Sequence, residues 1–261
     1  MRFSIITCTY NSADYIQKNI DSIKSQSFSD FEHIFIDGFS TDDTVEIIKK
    51  YQEEFPQKVK LFQYQPRGIA NAMNEGIKKA KGKYIMHLHS DDSMYDKEVL
   101  KDINSFLIQK NNPDWIYGKI KVVKKEGQLV GIFPKKLFLQ QTYKSPLGCY
   151  LLKFINFVPH QSVFIKKSIF KKFGCFNEDL RSSMDFDLWL RIKNSTSWMF
   201  FDRLICNYMI RSDAQSSGRN NEIENKKNLK KVHKEHLGKM EFKVAQIINF
   251  FLHKKNKTII N

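Results

Sequence analysis

The sequence predicts an α/β protein with an open, mostly parallel twisted sheet, flanking helices in a Rossmann-like arrangement, and further helices at the C-terminus. Two observations carry this prediction. Four short apolar segments alternate with three amphipathic helical patterns in the first 90 residues, which is typical of βαβ units. In addition, 261 residues with 41% hydrophobic content can bury a sizeable core, and no uninterrupted apolar run is long enough to cross a bilayer.

The first half is predicted to alternate regularly. Ile16, Ile20 and Ile23 share one face of the first helix, and Thr41 or Asp42 is a plausible N-cap of the second. Gly76 lies inside the third helix, which indicates close packing there. The four strands are expected at Arg2–Tyr10, Phe31–Asp37, Lys60–Gln65 and Lys83–His89.

The second half is less regular. Its patterns predict helices at Asp96–Gln109, Asp185–Lys193, Asn225–His236 and Lys239–His253. They predict strands at Asp114–Val123, Leu129–Phe133, Phe157–Lys166 and Phe200–Ile210. Leu137–Asn156 has no clean period, which suits either a mobile acceptor loop or core packing, and polar Ser212–Asn225 is expected to be a flexible loop.

The net charge of +15 is unevenly distributed, because the whole basic excess follows Asp92. A basic half attracts phosphate-bearing substrates, an anionic membrane or nucleic acid. Four widely spaced cysteines without a CxxC pair favour reduced thiols in a cytosolic protein. Met1 runs directly into a strand pattern, so no signal peptide is expected.

Polar residues follow the predicted parallel strands. Ligands of such sheets bind at the carboxyl ends of the strands, so one crevice should collect these residues. Asp91 and Asp92 end the fourth strand, and paired carboxylates there suit Mg²⁺ or Mn²⁺, although a solvated turn would look the same. Neither a GxGxxG fingerprint nor a P-loop is present.

Five segments, taken together and in this order, resemble family-2-type inverting glycosyltransferases, which have an A-type nucleotide-sugar fold. Each is a weak signal alone. They are Ser4–Ser12 (SIITCTYNS), Ile36–Thr44 (IDGFSTDDT), Arg67–Gly76 (RGIANAMNEG), Leu88–Asp92 (LHSDD), and Gly174–Glu178 (GCFNE) followed by Asp185–Arg191 (DFDLWLR).

The resemblance implies a role for each matching position. Asp91 would bind Mn²⁺ or Mg²⁺, with Asp92 as a second candidate. Asp185 would be the catalytic base, with Asp187 as its rival, and Asp37 would contact the base of a UDP-sugar. The implied nucleotide-sugar-binding residues are Thr7, Thr9, Asn11, Asp37, Arg67, Asn71 and Ser90.

Two departures from the family pattern stand out. His89 replaces the first acid of the family's metal-binding DxD, and Met184 precedes Asp185 where the family often has Glu. The QxxRW motif of processive synthases is absent, which indicates a single-addition enzyme. His160 is interpreted as a structural histidine near the site.

The resemblance also implies an organisation and a setting. Residues 1–95 would bind the nucleotide sugar, 96–212 would hold the acceptor and the base, and 213–261 would form a flexible loop plus basic amphipathic helices. The acceptor would be a saccharide or a lipid-diphosphate-linked saccharide in polysaccharide assembly. We expect a cytoplasmic enzyme, peripheral on the inner membrane face.

Two other functions compete with this one. His87, His89 and Asp91 resemble part of the metallo-β-lactamase HxHxDH run, with His160 available to complete a zinc site. The basic charge alone suggests a nucleic-acid-binding protein, but no recognisable motif supports it, so nucleic acid is not an expected partner.

Overall fold

The predicted alternation of strands and helices is present in the computed structural model, which describes residues 1–125, 127–134, 146–210 and 219–260. The first half contains β1 (Phe3–Thr9), α1 (Ala13–Lys24), β2 (Phe31–Asp37), α2 (Thr44–Glu54), β3 (Val59–Gln63), α3 (Ile69–Lys79), β4 (Tyr84–His87), β5 (Ser93–Met94) and α4 (Val99–Gln109). The second contains β6 (Trp115–Lys124), β7 (Leu129–Phe133), α5 (Pro146–Leu151), a 3₁₀ turn (His160–Ser162), β8 (Val163–Lys166), α6 (Lys167–Phe173), α7 (Met184–Ile192), β9 (Trp198–Ile210), α8 (Arg219–His236) and α9 (Lys239–Ile260).

One mixed sheet joins the two halves, in the order β3-β2-β1-β4-β8-β6-β9-β5, with β7 paired to β6. The first four strands are parallel, as expected for βαβ units. Strand β8 then pairs antiparallel with both β4 and β6. The α/β class and the C-terminal helices are therefore confirmed, and every antiparallel pair includes a strand of the second half.

The sheet is buried on both faces, as the fully buried strand β1 shows. On one face, Ile6 packs against α3 together with Trp115 and Trp189. On the other, Phe3 packs with residues of α4. A Cβ at Gly76 would lie 2.4 Å from Ile6 Cγ2, so this glycine allows α3 to approach β1 closely, as the sequence predicted.

Several predicted boundaries were wrong, among them those of β8, α2 and α8. Residues 160–162 form a 3₁₀ turn, so β8 begins at Val163 instead of Phe157. Helix α2 begins at Thr44, with Asp43 at the cap position, although the Asp42 carboxylate still accepts the Thr44 N–H at 3.1 Å. Helix α8 begins at Arg219 within the predicted loop Ser212–Asn225, because buried Val232 anchors this otherwise polar helix.

The predicted acceptor loop Leu137–Asn156 is described only in part. Residues 135–145 lie outside the described ranges, and so do residues 211–218 of the predicted polar loop. In the described part, α5 covers Pro146–Leu151, and Leu152 and Phe154 are buried. Core packing therefore accounts for these two side chains.

Candidate active site

A cleft of about 450 Å³ lies where β1 and β4 end, and the first turn of α7 forms its opposite wall. Its lining mixes apolar side chains with acids, histidines and one arginine. The lining residues are Cys8, Tyr10, Ser12, Ile69, Met73, His89, Ser90, Asp91, His160, Gln161, Arg181, Ser182, Ser183, Met184, Asp185, Tyr208 and Met209.

Asn11 ties together the loops that follow β1 and β2. Its backbone is left-handed (φ 46°), a conformation that asparagine tolerates better than most residues. Its N–H donates to Ser40 Oγ at 2.9 Å, and its side-chain oxygen accepts the Thr41 N–H at 2.9 Å. Asn11 therefore braces these loops, it is not among the cleft-lining residues, and its donor-site role stays a prediction.

Thr9 and Asp37 are linked to each other beneath the cleft. The Thr9 hydroxyl donates to Asp37 Oδ1 at 2.9 Å. Asp37 has no exposed surface, and its carboxylate also accepts hydrogen bonds from Ser40 and Gln63. A nucleobase would reach Asp37 only if one of these partners moved.

Thr7 and Asp92, both predicted ligand contacts, do not line the cleft. The fully buried Thr7 hydroxyl donates to the Leu88 carbonyl at 2.8 Å and lies 2.9 Å from His33 Nε2, inside the sheet. Asp92 is 1% exposed, and its Oδ1 accepts the Met209 N–H at 3.0 Å. The structure gives both side chains structural positions.

Arg67 and Asn71 are likewise absent from the cleft lining. Arg67 is exposed on the loop before α3. Asn71 is 4% exposed and donates to Glu178 Oε2 at 2.9 Å. By contrast, the predicted residue Ser90 lines the cleft, where its hydroxyl donates to Ser12 Oγ at 3.1 Å.

The two acids with the central predicted roles, Asp91 and Asp185, line the same cleft from opposite elements. Asp185 lies in the first turn of α7 with 17% of its side chain exposed. Burial raises its pKa, while hydrogen bonds from the Phe186 N–H and the Asn156 amide, the latter at 3.1 Å, act in the opposite direction. A carboxyl with a raised pKa is a stronger proton acceptor than an ordinary one.

Asp187, the rival candidate base, lies elsewhere. One of its oxygens is 3.0 Å from Arg191 Nε and the other 2.8 Å from His236 Nε2, and its side chain is 5% exposed. Two residues along a helix is roughly half a turn, so Asp185 and Asp187 point in different directions. Asp187 therefore joins α7 to α8.

Two histidines meet in the cleft beside Asp185. His89 Nε2 lies 2.8 Å from His160 Nε2, and His160 Nδ1 lies 3.8 Å from Asp185 Oδ2. Burial lowers the pKa of each histidine to about 4, so both are neutral at pH 7 and one ring N–H donates to the other ring. His160, interpreted from the sequence as structural, thus lies between the candidate base and the substituted position of the DxD.

Sequence reasoning gave no role to Tyr10 or Arg181. The Tyr10 ring is 61% exposed just after β1, and Arg181 is an exposed cation before α7. The available signal was position: Tyr10 is the last residue of a predicted strand, and Arg181 lies four residues before Asp185. Their shared cleft depends on tertiary packing, which the sequence does not give.

Of the predicted metallohydrolase set, His89, Asp91 and His160 line the cleft, but His87 does not. His87 is 5% exposed and packs edge-on against Phe176, with ring centroids 5.4 Å apart. Within the described ranges, the acidic and histidine side chains close enough to share an ion are Asp187, Glu235 and His236, outside the cleft lining. Two of these, Asp187 and His236, already bond each other.

Comparison with known families decides the class. The family model of Glycosyl transferase family 2 matches residues 4–173. The chain belongs to this family. This excludes the metallohydrolase reading, and it agrees with the resemblance predicted from the five segments.

Relatives and solved structures agree with this assignment. A Mycobacterium bovis "PGL/p-HBAD biosynthesis glycosyltransferase" is 27% identical over 233 residues (88% of this chain, 83% of the relative). An uncharacterized glycosyltransferase of Rickettsia bellii is 33% identical over 206 residues, 77% of this chain but 29% of that protein.

Two structural neighbours share the fold at low sequence identity. S. aureus TarS 1-349 in complex with UDP-GlcNAc has a TM-score of 0.69 at 23% identity, covering 89% of this chain and 65% of that one. A Pyrobaculum calidifontis mannosyltransferase in complex with GDP-Man and Mn²⁺ has a TM-score of 0.67 at 18% identity, covering 99% and 71%. In the described ranges, no helix of this glycosyltransferase has the length and hydrophobicity that crossing a bilayer requires.

Proposed function

We propose that this glycosyltransferase moves a sugar, with inversion, from a nucleotide-diphosphate donor to a hydroxyl of a saccharide or lipid-linked saccharide acceptor. The donor is a UDP-sugar, and the reaction uses Mn²⁺ or Mg²⁺. The observation that carries this proposal is that Asp91 and Asp185 face one cleft of about 450 Å³. That volume suits a small-molecule substrate site.

The cleft offers groups for each part of a donor. The exposed Tyr10 ring provides a face on which a nucleobase can stack. Arg181 and the hydroxyls of Ser12 and Ser90 suit phosphate oxygens. The bound UDP-GlcNAc and GDP-Man of the two structural neighbours support a nucleotide sugar as the donor class.

The cleft also fits a hard divalent cation. Mg²⁺ is usually held by one or two carboxylates plus substrate phosphates, so Asp91 together with a donor diphosphate is a sufficient ligand set. When bound, the ion offsets negative charge on the departing diphosphate. Asp92 is bonded to the Met209 backbone and is not needed for this role.

Asp185 acts as the general base. Its carboxylate takes the proton of the acceptor hydroxyl, whose oxygen bonds to the anomeric carbon while the bond to the diphosphate breaks on the opposite side. The nucleoside diphosphate leaves, and the configuration at that carbon is inverted. The raised pKa of Asp185 brings the carboxylate closer to the basicity that proton transfer near neutral pH requires.

The positions of Tyr10, Asp91 and Asp185 in the cleft support a division of labour along the chain. We propose that residues 1–95 bind the donor, with Arg181 as an additional phosphate contact, that 96–212 hold the acceptor and the base, and that 213–261 form a flexible loop and basic amphipathic helices. The enzyme adds one sugar per encounter, in polysaccharide biosynthesis, at the cytoplasmic face of the membrane. The name of the mycobacterial relative, a PGL/p-HBAD biosynthesis glycosyltransferase, supports a biosynthetic role.

The base assignment is tested with Asp185→Asn. Because general-base catalysis is worth about 10²–10⁴-fold, transfer should fall by that factor while donor affinity, measured by calorimetry, stays within about twofold. Asp179→Asn is the matched control, since Asp179 is an exposed acid outside the cleft lining. Transfer at the wild-type rate in Asp185→Asn would remove the base role.

The metal assignment is tested by contrasting two adjacent acids. Asp91→Asn should weaken Mn²⁺-dependent UDP binding at least about tenfold without lowering the Tm, since it removes a ligand at the cleft. Asp92→Asn should lower the Tm and leave Mn²⁺-dependent binding intact, because Asp92 is buried against β9. Electron paramagnetic resonance of Mn²⁺ and thermal unfolding measure the two effects. The reverse pattern would transfer the metal role to Asp92.

A further inference from the structure

Strand β7 exposes large apolar side chains on both of its faces. Leu129 is 56% exposed, Val130 53%, Ile132 42% and Phe133 38%. Successive residues of a strand point to opposite faces, so the residues that the structure describes leave both faces of β7 exposed. A contiguous exposed apolar patch of this kind marks an interaction site.

Lysines surround this apolar strand. Lys121 pairs with Ile132 across the hairpin, so its side chain lies beside the patch. Lys124 and Lys125 are exposed at the end of β6, next to the turn. The described residues of the β6–β7 hairpin (115–125 and 127–133) therefore combine apolar side chains with a positive rim, which complements an anionic lipid surface.

The hairpin stands beside the substrate cleft. Val122 of β6 pairs with Gly131 of β7 on one side and with Tyr208 of β9 on the other. Tyr208 and Met209 line the cleft. Since neighbouring strands lie about 4.8 Å apart, β7 is about 10 Å from the strand that forms the cleft wall.

We propose that the β6–β7 hairpin is where this enzyme docks on an anionic lipid bilayer, with the cleft held next to the membrane surface. The inference rests on the proposed function, because docking on a membrane brings the enzyme to a lipid-linked acceptor. The docking itself involves no sugar chemistry. Apolar side chains of β7 enter the interface, and the lysines face anionic headgroups.

Vesicle co-sedimentation of the full chain tests this. Vesicles of phosphatidylcholine alone are compared with vesicles containing about one-third phosphatidylglycerol. Wild type should bind the anionic vesicles at least about tenfold better. The double variant Leu129→Ser, Val130→Ser and the double variant Lys121→Gln, Lys124→Gln should each lose about tenfold or more, since each near-surface lysine is worth about fivefold.

Matched controls come from exposed positions on helices outside the hairpin. Ile108→Ser removes an apolar side chain that is 59% exposed on α4, and Lys49→Gln removes an exposed lysine on α2. Both should bind vesicles like wild type. All variants should retain the wild-type Tm, because the substituted side chains are not buried.

Several outcomes would overturn the proposal. One is equal binding of wild type to both vesicle types; another is wild-type binding by the hairpin variants. If the double variant Met240→Ser, Ile247→Ser were the only one to lose vesicle binding, the docking surface would instead be the exposed apolar stripe of α9. If wild type did not bind vesicles but self-associated, and the hairpin variants abolished that self-association, the partner of the hairpin would be a second copy of the chain.

Failure of docking and failure of the proposed function are separable. The hairpin variants should bind a nucleotide-sugar donor like wild type and transfer to a water-soluble acceptor at the wild-type rate. Vesicle binding that persists while Asp185→Asn leaves transfer intact would remove the catalytic assignment and keep the docking surface. If wild type did not bind vesicles but Asp185→Asn still slowed transfer, the docking surface would be removed and the catalytic assignment kept.

Discussion

His160 is the residue whose position adds most to the site. It lies between His89 and Asp185, and its Nδ1 is 3.8 Å from the carboxylate that we propose as the base. We expect it to position Asp185. His160→Phe should lower kcat by about 10- to 100-fold and leave the donor KM within about twofold, because the donor does not need this ring. Steady-state kinetics with varied donor measures both quantities.

A double-variant cycle separates positioning from a merely structural effect. If His160 acts through Asp185, the pair His160→Phe, Asp185→Asn should be no slower than Asp185→Asn alone. His160→Gln, which keeps a hydrogen-bonding side chain, should recover part of the lost rate. Rate losses that multiply in the double variant would show that His160 acts independently of Asp185.

Side-chain direction sets the limit of what could be predicted at this scale. The motifs predicted that Asp91, Asp185 and Ser90 belong to the site, and these three line the cleft. Adjacent Asp92 does not, because it turns towards the Met209 backbone. His160 was interpreted as structural because its approach to His89 depends on the antiparallel pairing of β8 with β4, for which the sequence has no signal.

At the scale of elements, α3 holds the segment that leads into α7. Asn74 Nδ2 donates to the Phe176 carbonyl and to Glu178, both at 2.9 Å, and its Oδ1 accepts the Phe176 N–H at 3.0 Å. Hydrogen bonds from Asn74 and Asn71 hold the pKa of Glu178 below its usual range. This contact braces the wall of the cleft that carries Asp185.

Removing this brace should destabilise the protein. Asn74→Ala leaves buried backbone groups of Phe176 unpaired, so we expect a loss of about 3 kcal/mol in the free energy of unfolding, measured by urea titration. Gln109→Ala, at an exposed position of α4, should change it by less than about 0.5 kcal/mol. If Asn74→Ala changed the free energy of unfolding as little as Gln109→Ala, the hydrogen bonds of Asn74 would not stabilise the protein.

Elements with a clear period were predicted well, and polar ones were not. The bounds of β2 and β7 agree with the structure, because turn-forming residues flank both apolar segments. The first residues of α8 were predicted as a loop because Arg219–Glu224 is almost entirely polar. Burial of Asn228 and Val232 further along stabilises that helix, and this is a tertiary contribution.

At the scale of the whole molecule, buried neutral histidines make stability depend on pH. His33 and His233 have no exposed surface, and His87 is 5% exposed. Burial lowers the pKa of His33 and of His87 to about 3 and that of His233 to about 4. Between pH 6.5 and these values the unfolded chain binds more protons than the folded one, so stability falls as pH falls.

The expected loss is large enough to measure. Going from pH 7 to pH 5.5, each of these histidines should cost about 1 kcal/mol, or roughly 3–4 kcal/mol together, by linkage from a normal unfolded pKa. His89 and His160 act in the same direction, while the raised pKa of Asp185 opposes them. Urea unfolding at the two pH values measures the difference.

His233 provides the matched control for this effect. Within the described ranges neither of its ring nitrogens has a hydrogen-bond partner, and its ring packs edge-on against Phe186. His233→Leu should therefore keep the fold and remove about one-third of the pH dependence that the three histidines produce. An unfolding free energy that is the same at pH 7 and pH 5.5 in wild type would show that these imidazoles are protonated in the folded state, and hence that water or an acidic partner reaches them.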